Sequence, residues 1–303
     1  MTGVSNRDAT DPLGRLRVQL RRAQEYFAPT IDPAASARAA FEARAFVESH
    51  LADLQAQADA AVDRTVMLEG ESLPVWSYWD GPEASAPPLV RACLAQLRRV
   101  HPEARVLDAE TVAEVVRLPA IVEERLAHRP AQRSDLIRVS LLERHGGIWV
   151  DATAFVPEPL TPKVEPLLDA GSFYLRWAAN EISNWFIVAR PGNRLIALQR
   201  AALEAWWRER DELPDYFLYH RLFTAIVSLD AGARRIAREM PRRSTLPSHL
   251  LQLAMLRPYD ADEVALILGA APVQKLSYKY DPDAVPAGSI LDRLLAGELL
   301  PPR

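Results

Sequence analysis

The sequence predicts an α/β fold, in which helices cover a β-sheet. Short β-branched and aromatic runs at residues 74–79 and 104–108 enclose a helical pattern at residues 87–100, and this strand–helix–strand order is typical of a nucleotide-binding unit. A further helix-to-strand passage lies at residues 131–156, where an apolar helical stripe ends at a glycine pair before an alternating strand pattern begins. Because open α/β sheets bind ligands at the carboxyl ends of their strands, we expect a site where this strand ends.

The composition narrows the class of protein. With 303 residues, of which 49% are hydrophobic, the chain can bury a large core. A net charge of −4 argues against general nucleic-acid binding, which normally goes with a basic excess. The single cysteine, Cys93, excludes an internal disulfide and fits a reducing compartment. No apolar run approaches the length of a membrane span, and the polar N-terminus is unlike a signal peptide, so we expect a cytoplasmic protein.

Residues 1–70 predict a helical N-terminal extension. An arginine-rich helical pattern is ended by Pro29, and a longer helix begins at Pro33. One interpretation is peripheral contact with the inner face of a membrane, because arginines of the first helix could meet anionic headgroups. The other, which we favour, is a helical appendage packed on the remainder of the chain. The arginines in question are Arg15, Arg17, Arg21 and Arg22.

The remaining elements follow from the same kinds of pattern. Strands are expected where β-branched and aromatic residues concentrate, and helices where apolar residues recur at helical spacing. Strand patterns occur at residues 171–177 and 183–189, separated by a turn at 178–181. Helical patterns occur at residues 109–117, 119–127, 193–210, 247–256, 261–268 and 288–295, and another begins at Asp215. The proline-rich residues 157–168 are expected to form a loop.

The densest group of polar candidates lies in the helix-to-strand passage. Ser134 can cap the helix start, and Asp135 and Arg138 stand three residues apart, so their side chains share a helix face. In the strand that follows, Asp151 and Thr153 point the same way because side chains alternate between faces. Taken singly, Asp151 is a turn residue and Asp135 a helix-start charge paired with Arg138. Taken together, they favour a site for a nucleotide and its metal-bound phosphates.

The stretch SDLIRVSLLERHGGIWVDAT, residues 134–153, resembles the central block of the capsular polysaccharide synthesis glycosyltransferases, which are similar to glycosyltransferase family 32. In that family an S-D-x-x-R motif is followed by a short helix and then by a G-G-[IV]-[YW]-[LV]-D motif. The last aspartate of that motif begins a D-x-D motif, whose second half comes next. The matching residues are Ser134, Asp135, Arg138 and Asp151. Thr153 stands in place of the second aspartate. The resemblance implies a GT-A-like open mixed sheet with flanking helices over residues 71–303, following the N-terminal extension.

The resemblance also implies an enzyme that transfers a sugar, with retention of configuration, from a nucleotide diphosphate sugar to a hydroxyl of a glycan or lipid-linked acceptor. Trp79, where the first strand ends, would stack on the donor base. Asp135 and Arg138 would bind ribose or donor-sugar hydroxyls, and Asn184 would hydrogen-bond the sugar. Asp151 would hold Mg²⁺ or Mn²⁺ against the diphosphate, since hard cations prefer oxygen ligands.

Two lysines in the segment QKLSYKY are expected to contact the diphosphate. Of 36 basic residues only Lys163, Lys275 and Lys279 are lysines, and the last two lie in this segment, which resembles the family's closing H-K-L-x-x-K motif. A lysine ammonium is a compact point charge that suits a phosphate group. Chance clustering in an arginine-biased chain is the alternative explanation.

Thr153 makes the expected metal site unusual, because a hydroxyl is a poorer cation ligand than a carboxylate. His220 is therefore a further candidate ligand for the metal, the phosphate or the acceptor, although a lone histidine on an aromatic helix is more often a hydrogen-bonded core residue. A metal-independent enzyme that relies on its lysines is a second interpretation.

Two other functions fit the same residues. One is a nucleotide-sugar or glycan-binding protein without activity, in which Thr153 marks a degenerate metal site. The other is an effector that carries out the same chemistry on a protein acceptor.

Overall fold

The computed structural model describes residues 12–26, 32–61, 63, 65, 73–178 and 181–300. The predicted domain boundary between residues 70 and 71, the helix end at Pro29 and the centre of the turn at 178–181 lie outside this part of the chain.

In the part of the chain that the structure describes, the main sheet has five strands, which are β1 (Val75–Tyr78), β2 (Arg105–Leu107), β3 (Gly147–Val150), β5 (Ser172–Ala178) and β6 (Glu181–Ala189). Their order in the sheet is β2-β1-β3-β6-β5. Strand β1 runs parallel to β2 and β3, whereas β6 runs antiparallel to β3 and β5, so the sheet is open and mixed. A separate antiparallel pair joins β4 (Ala154–Phe155) to β7 (Gln274–Lys275). This confirms the predicted GT-A-like α/β class.

Helices flank the sheet, and most of them lie in the intervals that the sequence patterns indicate. They are α1 (Pro12–Tyr26), α2 (Pro33–Asp59), α3 (Pro88–Val100), α4 (Ala120–Leu126), α5 (Pro130–His145), α6 (Thr161–Val164), α7 (Arg194–Glu209), α8 (Leu218–Leu229), α9 (Ala231–Glu239), α10 (Leu250–Ala254), α11 (Ala261–Ala270) and α12 (Ile290–Leu295). Shorter 3-10 turns lie at Glu83–Ser85, Thr111–Glu114, Glu165–Leu167, Leu246–His249 and Pro282–Ala284.

The long helix α2 packs on α7 and α8 and shares their hydrophobic core. Phe46 on α2 meets the indole of Trp206 on α7 edge-on, with 4.9 Å between ring centroids. Helix α1 contributes Leu16, Leu20 and Ala23 to a second cluster with α10 and α11. Both helices therefore pack on the remainder of the chain, and the arginines of α1 stay exposed.

Several predicted helix boundaries are wrong, each for a local reason. Helix α5 begins at Pro130, four residues before Ser134, because proline suits the first helical turn; Ser134 is therefore not the cap. Helix α8 begins at Leu218, since the Asp215 carboxylate first accepts a hydrogen bond of 2.8 Å from the Phe217 amide in a turn.

The region between β2 and α4, predicted as a helix, holds only a 3-10 turn. The Asp108 carboxylate accepts the amides of Glu110 and Thr111 at 3.0 and 2.8 Å, which competes with helix formation. The predicted proline-rich loop instead contains the single helical turn α6.

Gly146 and Gly147 make the tight passage from α5 into β3 that the sequence predicts. Their φ angles are +65° and +104°, which side chains rarely adopt. A Cβ at Gly147 would lie 2.1 Å from the carbonyl oxygen of Pro74, so only glycine lets β3 approach the start of β1. The Gly146 carbonyl also accepts a 2.9 Å hydrogen bond from the Trp76 indole. These contacts fix the direction in which β3 leaves the helix.

Of the helices that the structure describes, none has both the length and the apolar character that a membrane span requires.

Candidate functional site

Asp151 follows the last residue of β3, at the carboxyl end of the strand. Its backbone amide donates to the Trp185 carbonyl at 2.9 Å, which continues the pairing with β6 by one bond. The indole of Trp149, two residues earlier, donates to the Asp151 Oδ1 atom at 2.9 Å. The carboxylate is thus held in one orientation by its own strand.

Arg138, on the middle of α5, joins the two acidic residues of the site. One guanidinium nitrogen lies 3.1 Å from Asp135 and another lies 3.4 Å from Asp151. The same side chain donates to the Asn184 carbonyl at 2.7 Å and to the Ser134 hydroxyl at 2.9 Å. Only 5% of Arg138 is exposed, so its charge is balanced by protein groups rather than by water.

Lys275 contacts the carboxylate oxygen of Asp151 that Arg138 does not contact. Its Nζ atom lies 2.7 Å from Asp151 Oδ2 and 2.6 Å from Thr153 Oγ1. The pairing of Lys275 with Ala154 in the β4–β7 ladder places it there, and the Leu276 amide donates to the Thr153 carbonyl at 2.9 Å. One ammonium group therefore connects Asp151 and Thr153. The predicted strand through both residues is wrong, because β3 ends at Val150 and the chain then turns, with the Ala154 amide donating to the Asp151 carbonyl at 2.8 Å.

The two carboxyls of the site have opposite electrostatic environments. Burial raises the pKa of Asp135 to about 6, because it outweighs the attraction of Arg138 and is reinforced by the negative charge of Asp151. Burial also acts to raise the pKa of Asp151, but Lys275 and Arg138 together hold it below its usual value. Asp151 is therefore firmly ionised at neutral pH, whereas Asp135 is close to its titration point.

Trp79 lies just after β1, and its amide donates to the Leu107 carbonyl at 3.0 Å. The indole is half-buried and packs against a small apolar cluster that includes Ala152, the residue between Asp151 and Thr153. The Tyr278 ring meets it edge-on, with 5.8 Å between centroids and planes 86° apart. Trp79 thus borders the acidic group and keeps part of its surface open.

The sequence-predicted residues therefore fall into two sets. One network of direct contacts contains Asp135, Arg138, Asp151, Thr153, Asn184 and Lys275, with Trp79 beside it. Lys279 is exposed and lies four residues beyond Lys275. Its backbone amide donates a hydrogen bond to the Ser277 hydroxyl at 3.2 Å. The structure shows no contact between Lys279 and the acidic residues.

His220 lies on α8, half-buried among the aromatic rings of Phe217 and Tyr219. Its Nδ1 atom is buried and has no hydrogen-bond partner. Burial, followed by the positive charges of Arg138 and Arg221, lowers the pKa of His220 to about 4, so the ring is neutral at physiological pH. Among the described residues, no three His, Cys, Asp or Glu side chains are grouped so that they could hold a metal ion.

The donor atoms at Asp151 do not fit a divalent cation in this arrangement. Oδ1 accepts from the Trp149 indole and lies near Arg138, while Oδ2 and the Thr153 hydroxyl both contact the Lys275 ammonium. Mg²⁺ needs oxygen ligands at about 2.1 Å in octahedral geometry, and a cation there would replace the lysine. The bound Mg²⁺ or Mn²⁺ of the sequence interpretation stays a prediction.

Two further tyrosines, Tyr278 and Tyr216, were not predicted as functional residues from the sequence. Tyr278 belongs to the same segment as Lys275, but its contact with Trp79 depends on how that segment folds back. Tyr216 is 71% exposed, and partial burial of its hydroxyl, followed by the negative charge of Asp135, raises its pKa. The only sequence signal for Tyr216 was its place beside Asp215.

Comparison with the curated proteins and with the solved structures found no match. A family model described as capsular polysaccharide synthesis protein matches residues 31–294, which includes every residue of the network around Asp151. The match extends over most of the chain, from the start of α2 to α12. The chain therefore belongs to the capsular polysaccharide synthesis protein family.

Proposed function

We propose that this protein is a glycosyltransferase that moves a sugar from a nucleotide diphosphate sugar to a hydroxyl of a glycan or lipid-linked acceptor during polysaccharide synthesis. The observation that carries the proposal is the network in which Arg138 and Lys275 flank Asp151 at a strand end, beside the half-buried indole of Trp79. Such a network offers cations for a diphosphate, polar groups for a sugar and a flat surface for a base. Family membership supports a role in polysaccharide synthesis.

Trp79 is the proposed binding surface for the donor base. Stacking of a base on an aromatic side chain contributes about 1–3 kcal/mol and tolerates any base, because every base has a π-face. Tyr278 meets the indole edge-on and so limits how the indole can tilt. The tyrosine comes from the same segment as Lys275, so base and phosphate contacts would form together.

Lys275 is the proposed contact for the donor diphosphate. An ammonium group has three N–H donors, and the bonds to Asp151 and Thr153 use two of them. The third is left for a phosphate oxygen. Because the ammonium is already oriented by two partners, it can stabilise charge that builds on the departing diphosphate without first being reorganised.

Asp135 and Asn184 are the proposed contacts for donor hydroxyls. Asp135 accepts both the Asn184 amide and the Arg138 guanidinium through Oδ1, which leaves Oδ2 for a hydroxyl. Arg138 is occupied by protein groups, and we therefore assign it a positioning role between the two aspartates rather than direct contact with the sugar.

The proposal is tested by incubating the protein with a panel of nucleotide diphosphate sugars, first by thermal shift and then by release of nucleoside diphosphate. We expect one donor to raise the Tm and to be turned over slowly even without acceptor, through transfer to water. The Asp151→Asn variant should lose this turnover and keep the wild-type circular dichroism spectrum. Asp262→Asn, an exposed aspartate on α11, is the matched control and should behave as wild type.

A non-catalytic binding protein gives a different result in the same assays. It would show the thermal shift but release no nucleoside diphosphate, with or without Mn²⁺. An Asp151→Asn variant that retained turnover would remove Asp151 from the mechanism. If transfer occurs but only to a protein acceptor, the effector interpretation replaces polysaccharide synthesis.

A further inference from the structure

The position of Lys275 has a second consequence, which concerns metal ions. Its ammonium lies 2.7 Å from Asp151 and 2.6 Å from Thr153, so it contacts the side chains of both positions that in the D-x-D pattern carry carboxylates. A hydroxyl at position 153 accepts a hydrogen bond from the ammonium and adds no charge of its own. Thr153 is therefore suited to a lysine partner and poorly suited to a cation.

The charges of the site balance without a metal ion. Asp135 and Asp151 supply the acidic groups, and Arg138 and Lys275 supply two cations in direct contact with them. A divalent cation beside Asp151 would approach both positive side chains within a few ångströms in a part of the protein where charges are weakly screened. Its binding would require Lys275 to move away.

The backbone of Lys275 is fixed in place by the residues on either side of it. Val273 and Leu276 are buried in two different hydrophobic clusters. The Gln274 side chain is fully buried and bonds to the Leu251 amide at 3.3 Å and the Ile267 carbonyl at 3.2 Å. With anchors on both sides, the backbone of Lys275 cannot leave the site by a local rearrangement of an exposed loop, so the ammonium could leave Asp151 only by rotation of its own side chain.

We propose that the Lys275 ammonium takes the place of the divalent cation at Asp151 and Thr153, so that the protein binds its phosphate ligand without a metal ion. That the ligand is a nucleoside diphosphate rests on the proposed function. The exclusion of the cation rests only on the contacts of Lys275.

The exclusion is tested with Mn²⁺ alone, by electron paramagnetic resonance titration of the purified protein. We expect no specific Mn²⁺ site in the wild type. The Lys275→Met/Thr153→Asp double variant restores a carboxylate pair and removes the cation, and should bind Mn²⁺ roughly tenfold or more tightly than the wild type. Lys163→Met, which removes an exposed lysine paired with Glu158, is the matched control and should gain no site.

Two results of the titration would overturn the proposal. One is a Mn²⁺ site in the wild type that disappears in Asp151→Asn. The other is a folded double variant that gains no site, since Lys275 would then not be what keeps the cation out. Circular dichroism establishes that each variant is folded, and the Lys275→Met single variant, which keeps the apolar stem, provides a second folded protein for the comparison.

The phosphate side is tested by thermal shift with UDP, GDP, ADP and CDP, each with EDTA or with Mn²⁺. We expect one of them to stabilise the wild type equally in both conditions. Stabilisation that requires Mn²⁺ would overturn the proposal. If none of the four stabilises the protein in either condition, the proposed sugar transfer fails, while the titration with Mn²⁺ alone still decides whether Lys275 excludes the cation.

Discussion

The side-chain amide of Asn184 donates a 2.8 Å hydrogen bond to Oδ1 of Asp135 and so connects β6 to α5 at the site. The bond favours the ionised form of Asp135, yet burial keeps the pKa of this carboxyl near 6. Ionisation of Asp135 therefore lowers the stability of the fold, whereas the charge of Asp151 is balanced by Lys275 and Arg138. A costly charge that is retained at a site is a sign of function rather than of packing.

The first prediction concerns the pH dependence of stability. The unfolded chain ionises Asp135 near pH 3.8 and the folded chain near pH 6, so the unfolded state loses its proton first and stability falls as pH rises through this window. Asp135→Asn cannot ionise. We expect its Tm to match that of the wild type at pH 4 and to exceed it at pH 7. The corresponding gain in the free energy of unfolding at pH 7 is at most about 3 kcal/mol.

The measurement is calorimetry of the wild type and of Asp135→Asn across pH 4 to 7. A difference that stays constant would show that Asp135 does not titrate in this range. The stabilised Asp135→Asn variant should also lose donor turnover, because an amide has one acceptor oxygen where the carboxylate has two, and Oδ1 is already engaged by Asn184 and Arg138.

The second prediction separates the two lysines of the closing segment. Lys275→Ala should weaken nucleoside diphosphate binding far more than nucleoside binding, because only the former carries phosphate. Lys279→Ala should change neither by much, since this lysine is exposed and apart from Asp151. Isothermal titration with the matched nucleoside and its diphosphate checks both. Equal losses for the two ligands in Lys275→Ala would contradict a phosphate contact.

The third prediction concerns Trp79. Trp79→Ala should weaken nucleoside binding by about 1–3 kcal/mol, which is the usual contribution of a base stacked on an aromatic ring. Trp79→Phe keeps a flat surface and should recover much of the loss. If both variants bind the nucleoside as the wild type does, the indole is packing against the cluster at Ala152 without contacting the base.

The fourth prediction concerns the passage into β3. Gly147→Ala should prevent folding or lower the Tm by many degrees, because its Cβ would overlap the Pro74 carbonyl at a φ of +104°. Gly269→Ala is the matched control: it lies on α11 with open space around it, and alanine suits a helix better than glycine. Thermal denaturation of the purified variants decides the point. A Gly147→Ala protein as stable as wild type would mean that β1 and β3 can separate locally.

The sequence was most informative where structure is decided by neighbouring residues. The glycine pair predicted the end of α5, and the alternation of residue types predicted β3. Asn193 predicted the start of α7, where its side chain accepts hydrogen bonds from the Leu195 and Ile196 amides. The facing of Asp135 toward Arg138 followed from helical spacing alone. These features depend on a few adjacent positions, which a single sequence displays.

Contacts between distant segments were harder to predict from the sequence. Lys275 and Asp151 are 124 residues apart, and the β4–β7 ladder that joins them has only two residues in each strand, too few for a recognisable pattern. The sequence could suggest that the closing segment folds back over a ligand. It could not show that the lysine would occupy the place expected for a cation.

The contact between Lys275 and Asp151 joins two parts of the chain that are synthesised at different times. A ribosome finishes the acidic half of the site long before it reaches the lysine that balances Asp151, because translation proceeds from one end. A truncated product that ends before β7 would contain all five strands of the main sheet yet lack the ammonium. In such fragments Asp151 would keep Arg138 as a partner but lose Lys275, which leaves the place of the ammonium open to a divalent cation.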